Sequence, residues 1–144
     1  RGILNFFGDI WTFIRDIVVI NKDKDYNAVY LLKKGVNHSD VTKDNVNEKC
    51  YLIGHQANTN DFITEFDFQR GVYFIPNKVG TNKKADYNWK IGNDGQDTNK
   101  AVRVLLLGGC ANHGSSAGSG YFNSGWVRSD SYAAVGFFTT VKLD

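Results

Sequence analysis

Methionine is missing from this chain and proline nearly so: 144 residues contain no Met, one Pro (Pro76) and two Cys. So little cysteine excludes a disulfide-stapled miniprotein. Cys50 and Cys110 form either one bridge or two thiols, and their spacing leaves both open. Long apolar runs are missing too. Ile17-Val18-Val19-Ile20 and Val104-Leu105-Leu106-Leu107 fall far short of the ~20 residues that span a bilayer, so no membrane insertion is expected. Nor is there an excess of one charge: seventeen basic against fifteen acidic residues give +2. The two signs alternate, as in NKDKD (21–25), which leaves no basic stripe for nucleic acid.

What is present is aromatic and small. Hydrophobic residues make up 42%, aromatics 14%, and there are fifteen Gly. This composition excludes disorder and favours strands joined by sharp turns. The length suits one domain that buries about two-thirds of its unfolded surface. A start at Arg1, with neither Met nor a signal-peptide pattern, reads as the C-terminal part of a longer protein.

Along the chain, residues 5–18 place Phe7, Ile10, Trp11, Ile14, Ile17 and Val18 at helical spacing behind Asn5, which predicts an amphipathic helix. VVIN (18–21) and NAVYLL (27–32) flank a charged turn and predict a hairpin. From 37 to 70, Asn, Asp and Thr predict long loops around short elements such as CYLI (50–53). GVYFIP (71–76) reads as a strand stopped by Pro76, and 77–100 as a surface segment anchored on the core by Tyr87 and Trp89. AVRVLLLGG (101–109) and AVGFFTTVKL (134–143) are strands; between them, from Cys110 to Ala133, a long loop of Gly, Ser, Asn and aromatics is expected to be functional.

Within that loop HGSSAGSG (113–120) contains a G-x-S-x-G match around Ser116. A nucleophile elbow requires a strand-to-helix turn, then an acid and a histidine in chain order. After Ser116 come Asp130 and Asp144 but no histidine, and His113 lies upstream. A tight glycine-rich turn is the simpler account. Cys50-x4-His55 with Cys110-x2-His113 is a loose zinc pattern, weaker than buried thiols and solvated imidazoles, and His38 reads as solvated. Glu65 and Asp67 would share one face of a strand, but Phe62, Phe66 and Phe68 among them suggest aromatics turned inward and acids in water. No phosphate-binding glycine motif occurs. No metal or cofactor is expected. What remains is a surface in which Tyr, Trp, Arg, Asn and His alternate with Gly and Ser, the composition of natural and engineered paratopes.

Two stretches resemble a known family. Gly2-Ile3-Leu4-Asn5 through Gly8-Asp9-Ile10-Trp11-Thr12-Phe13 is similar to the G-x-x-(D/N)-x-x-G-N-V-W-E-W segment of the formylglycine-generating-enzyme branch of the C-type lectin fold. Arg103 through Gly109, then Gly114, Ala117-Gly118, Tyr121, Asn123, Ser129, Ser131 and Val135-Gly136-Phe137, resemble that branch's closing pattern. The similarity is densest with the variable proteins of diversity-generating retroelements and the receptor-binding tips of phage tail fibres; Ile75-Pro76, Gly80 and Asp86-Tyr87 fall where those carry an insert.

The resemblance implies an α+β domain over 1–144: short antiparallel strands, one or two helices and extensive loops. It implies a non-catalytic display surface at 110–134 that recognises a protein or cell-surface receptor, at a virion tail tip or cell surface, in a monomer or a homo-oligomer. The ligand-binding positions carried over are Cys110, Asn112, His113, Ser116, Gly125, Trp126, Arg128, Asp130, Tyr132 and Ala134, on a framework of Gly108, Gly109, Gly114, Ala117, Gly118, Ser129, Ser131 and Gly136. The alternative is an enzyme, either a formylglycine-generating-type oxidase or a serine hydrolase using Ser116. Cys110 directly follows Gly109 with no later cysteine, which counts against the oxidase. Phe138 stands where the family closes with Arg, and Ile-Pro-Asn (75–77) lacks the acid of calcium-dependent sugar sites.

Overall fold

A computed structural model describes residues 11–21, 26–67, 74–81, 86–89, 102–109, 113, 118–126 and 135–138. Nine strands account for most of them: β1 (Trp11–Asn21), β2 (Tyr26–Leu32), β3 (Cys50–Ala57), β4 (Asp61–Asp67), β5 (Ile75–Gly80), β6 (Tyr87–Trp89), β7 (Val102–Gly108), β8 (Gly118–Asn123) and β9 (Val135–Phe138). The one α-helix among the described residues, α1 (Val46–Lys49), is a single turn of four residues that follows a 3-10 turn at His38–Asp40.

The expected α+β class, and with it the C-type lectin architecture with its helices, is therefore corrected: the described residues are nearly all sheet, eight strands curled into a half-barrel with the ninth, β9, beside β1. The predicted helix over 5–18 is a strand from Trp11 onward, and residues 5–10 lie outside the described part. The reason is visible in Ile17, Val18, Val19 and Ile20, each fully buried. Ile17 and Val19 pack into one cluster, Val18 and Ile20 into another, so β1 is covered on both faces. A two-sided strand reads as a continuous apolar run, which matches helical spacing as well as strand spacing. Its β-branched residues favour the pleated form.

The hydrogen-bonded order is β3-β2-β1-β7-β8-β6-β4-β5, with β9 added beside β1. The expected hairpin is present, pairing Ile17 with Leu31 and Asn21 with Asn27. The other half of β1, residues 11–14, pairs in parallel with β9, while its opposite edge follows β7, with an irregularity between Ile14 and Val18. The short element expected at CYLI (50–53) is the first half of β3, which runs on to Ala57, β4 follows where loop was expected, and β8 crosses the stretch expected to be one long loop.

Three clusters form the core. Ile17, Val19, Val29, Ile53, Ile75, Leu105 and Phe122 meet on one face, and they come from strands at both ends of the row. A flat sheet could not bring Ile53 of β3 to Ile75 of β5, so the sheet must curl until its terminal strands touch, as they do. Gly54 sits at this seam: a Cβ there would come within 2.6 Å of Ile75 Cδ1. The outer face is closed in two places. Val18, Ile20, Ala28, Tyr30 and Leu32 lie under Val41 and Val46 from the β2–β3 connection and Cys50 at the start of β3. Trp11, Val104, Leu106 and Tyr121 lie under Phe13, Tyr87 and Trp126.

Pro76 does not stop a strand but lies within β5, opposite Phe66. The position tolerates it because β5 ends the row of strands and, among the described residues, pairs with β4 alone, so one of its edges needs no N–H.

Candidate recognition surface

β6 is three residues long, and its alternation decides what is displayed. Asn88 is fully buried and Trp89 is 44% exposed, as period-two geometry requires of neighbours on a strand. The inward Asn88 amide is bonded throughout: Nδ2 donates to the carbonyls of Ala57 (2.9 Å) and Thr59 (2.8 Å), and Oδ1 accepts from Gln56 Nε2 (2.7 Å). Buried amides left unpaired are costly, so these bonds hold Asn88 inward and Trp89 outward.

The expected role of Trp89 as a core anchor is thus reversed. Its indole rests on backbone, with Cδ1 and Nε1 each 3.3 Å from where a Gly125 Cβ would stand. Gly125 is fastened on both sides: its N–H donates to Asn123 Oδ1 (2.8 Å) and its carbonyl accepts from Arg103 Nη1 (3.0 Å). The next residue, Trp126, is half-buried against the outer cluster, and its carbonyl accepts from Val104 N (3.0 Å). Trp89 and Trp126 therefore flank one short segment, Trp89 the more exposed.

His113 is set differently from a solvated imidazole. Its ring meets Trp11 edge-on at 5.1 Å and Tyr121 at 5.3 Å, geometry that favours aromatic contact. Tyr121 is buried and meets Tyr87 edge-on, so Tyr121 and Asn123, expected within the long loop from Cys110 to Ala133, are buried residues of β8. Burial pushes the Tyr87 phenol above its ordinary range, and the Asp61 carboxylate adds to the effect.

Gly118 and Gly120 take their meaning from Asp86. Its carboxylate lies directly over both α-carbons, where a Cβ would collide with it, and Oδ2 accepts from Gly120 N at 3.1 Å. The end of HGSSAGSG is thus glycine so that a carboxylate can approach the strand backbone. Upstream, Gly108 (φ 95°) and Gly109 (φ 77°) turn the chain out of β7 through left-handed conformations.

Of the ten carried-over positions the structure describes three, His113, Gly125 and Trp126, and places Gly125 and Trp126 together. Cys110, Asn112, Ser116, Arg128, Asp130, Tyr132 and Ala134 lie outside the described residues. Sequence reasoning missed Gln56, Asn88, Asp86 and the exposure of Trp89; Asn88-Trp89 as a polar-aromatic pair in a turn-rich segment was the one available signal.

The other candidate chemistries are dispersed. Glu65 makes a surface ion pair with Lys78 (2.6 Å), whose hydrogen bond lowers the Glu65 pKa, while Asp67 lies near Gly54. Ile63 is buried and Phe66 exposed, stacked edge-on against Phe74, so the aromatics do not all turn inward. Cys50 is a buried free thiol, its pKa raised by burial and partly offset by Lys33 and Lys49; His55 instead faces Tyr26. Among the described residues no three metal-binding side chains converge, and no helix is long and apolar enough to cross a membrane. No protein-family model, curated protein or solved structure matches the chain.

Proposed function

We propose that this domain is a non-catalytic recognition module that binds a protein or cell-surface receptor through the face carrying Trp89, Gly125 and Trp126. One observation carries the reading: Trp89 keeps 44% of its surface exposed although its indole is seated on a tethered glycine. A large apolar ring held rigidly and left in water has lost little conformational freedom still to be given up on binding, which is the property of interface anchors. Trp126 adds apolar area beside it. The carried-over positions 110–134 supply the changeable polar side chains, with Arg128, Asp130 and Tyr132 as specificity elements and Ser116 as one display position among several.

In this reading the sheet is the invariant support, and the module works at a virion tail tip or a cell surface. The experiment is binding of the fluorescently labelled protein to panels of intact bacterial cells and of immobilised surface proteins. Trp89→Ala should weaken any saturable binding by ~30-fold or more if Trp89 is a hot spot, with thermal unfolding unchanged. Unaltered binding by that variant would remove Trp89 from the site. Genome sequence supplies a second test. The diversified-display reading requires an imperfect repeat of the 3′ coding segment, differing at template adenines, beside a reverse transcriptase gene.

A further inference from the structure

We infer that Gln56, remote in sequence and wholly buried, is the positioning residue that sets the display of Trp89 and Gly125. Its amide engages three elements at once. Nε2 donates to Asn88 Oδ1 (2.7 Å) and to the carbonyl of Trp89 itself (3.3 Å). Oε1 accepts from Ser124 Oγ (2.6 Å), the residue directly before Gly125. Asn27 Nδ2 on β2 lies 3.5 Å from the same oxygen. Ser124 then binds the Trp89 carbonyl independently through its own N–H (2.9 Å) and, more weakly, its hydroxyl (3.5 Å).

The geometry explains why one side chain can govern a surface feature from beneath. Among the described residues β6 meets β8 in two register pairs, Asn88 with Phe122 and Trp89 with Asn123, a short contact. The backbone bond from Ser124 N to the Trp89 carbonyl ties β6 to the residue before Gly125. Gln56 adds a side-chain bridge to that tie: its donor end holds Asn88 and Trp89, its acceptor end holds Ser124. Gln56, Asn27, Asn88 and Ser124 are each fully buried, where hydrogen bonds are strong and unmade ones costly. β3 thereby reaches across the concave face and clamps β6 to the segment after β8. The consequence for binding rests on the recognition reading; the clamp itself does not.

The test is fluorine NMR of the whole chain labelled with 5-fluorotryptophan, which carries three reporters, Trp11, Trp89 and Trp126. Trp89→Phe assigns the Trp89 resonance. Gln56→Met keeps the side-chain length and removes both ends of the amide. The expected result is a displaced or broadened Trp89 resonance with greater quenching by a soluble paramagnet, while the Trp11 resonance, in the outer core, stays in place. Ser124→Ala removes only the hydroxyl and should move Trp89 the same way by less, which keeps the test available if Gln56→Met does not fold. A folded Gln56→Met, or failing that Ser124→Ala, with the wild-type Trp89 resonance and quenching overturns the inference. Failure of the recognition reading has another signature: Trp89→Ala leaves receptor binding intact whatever the spectra show.

Discussion

Replacing Gly54 by alanine tests the architecture at the point where the two ends of the sheet meet. The new methyl would stand 2.6 Å from Ile75 Cδ1, inside van der Waals contact, and 3.3 Å from Asp67 Oδ2. Ile75 is fully buried among residues from five other strands, so its terminal methyl has no solvent to move into. Overpacking of this kind costs about 1–3 kcal/mol. In a domain of this size that corresponds to a Tm lower by on the order of 4 °C per kcal/mol.

The stronger test is a double-mutant cycle with Ile75→Val, which deletes the atom in the way and leaves Ile75 Cγ1, 3.6 Å from the new methyl, in ordinary contact. Ile75→Val alone opens a methyl-sized void and should cost about 0.5–1.5 kcal/mol. Together the added methyl fills the void, so the double variant should be more stable than the sum of the singles predicts, by at least ~0.5 kcal/mol. Urea unfolding followed by tryptophan emission measures all four proteins, and a shift of midpoint at constant slope reports stability alone. Costs that add within about 0.3 kcal/mol would show that β3 and β5 do not touch, and the curled half-barrel would be wrong.

Three further outcomes follow from particular contacts. Gly120→Ala should destabilise by about 1–3 kcal/mol by expelling the Asp86 carboxylate from its bond to Gly120 N. In an Asp86→Ala background the same change should cost less, by ~1 kcal/mol or more, since only the half-exposed Phe66 ring, 2.9 Å from the new methyl, must then give way, and chemical denaturation of the four proteins decides. Gly109→Ala should cost about 1–2 kcal/mol, read as a lower Tm, because φ is 77° there and any Cβ is strained.

The Cys50 thiol gives a pH dependence. Burial raises its pKa above the ordinary 9.0, so the folded state retains its proton when the unfolded state has lost it. Its contribution to stability is complete below pH 9.0 and falls as pH rises from there through the folded pKa. Cys50→Ala should flatten that alkaline decline relative to wild type in a series of urea titrations, and an equal decline in both would refute it.

How much was legible can be judged from individual strands. The hairpin of β1 and β2 was readable because two apolar runs flank a charged turn, and β7 because Val102–Leu107 is a valine and leucine run closed by the glycine pair Gly108-Gly109. β1 was misread as helical because burial on both faces erases alternation. β3 was legible only at CYLI (50–53), and β4 not at all, for a different reason: bulges opposite Val29 and around Glu65 break the period of two, so polar and apolar residues fall out of step. The exposure of Trp89 was illegible, since an aromatic in a polar segment reads as an anchor until its neighbour Asn88 is known to point inward.

By itself the sequence determined the raw terms: a single aromatic-rich chain with balanced charge, a glycine pair that can turn out of a strand, and a stretch of Gly, Ser and aromatics between two apolar runs. Only the tertiary structure decided that the sheet curls, because that depends on Ile53 and Ile75, far apart in the chain, sharing one cluster. It also decided which tryptophan faces water, because that outcome is set by Gln56, thirty-three positions away, whose buried amide must find partners and finds them beneath Trp89.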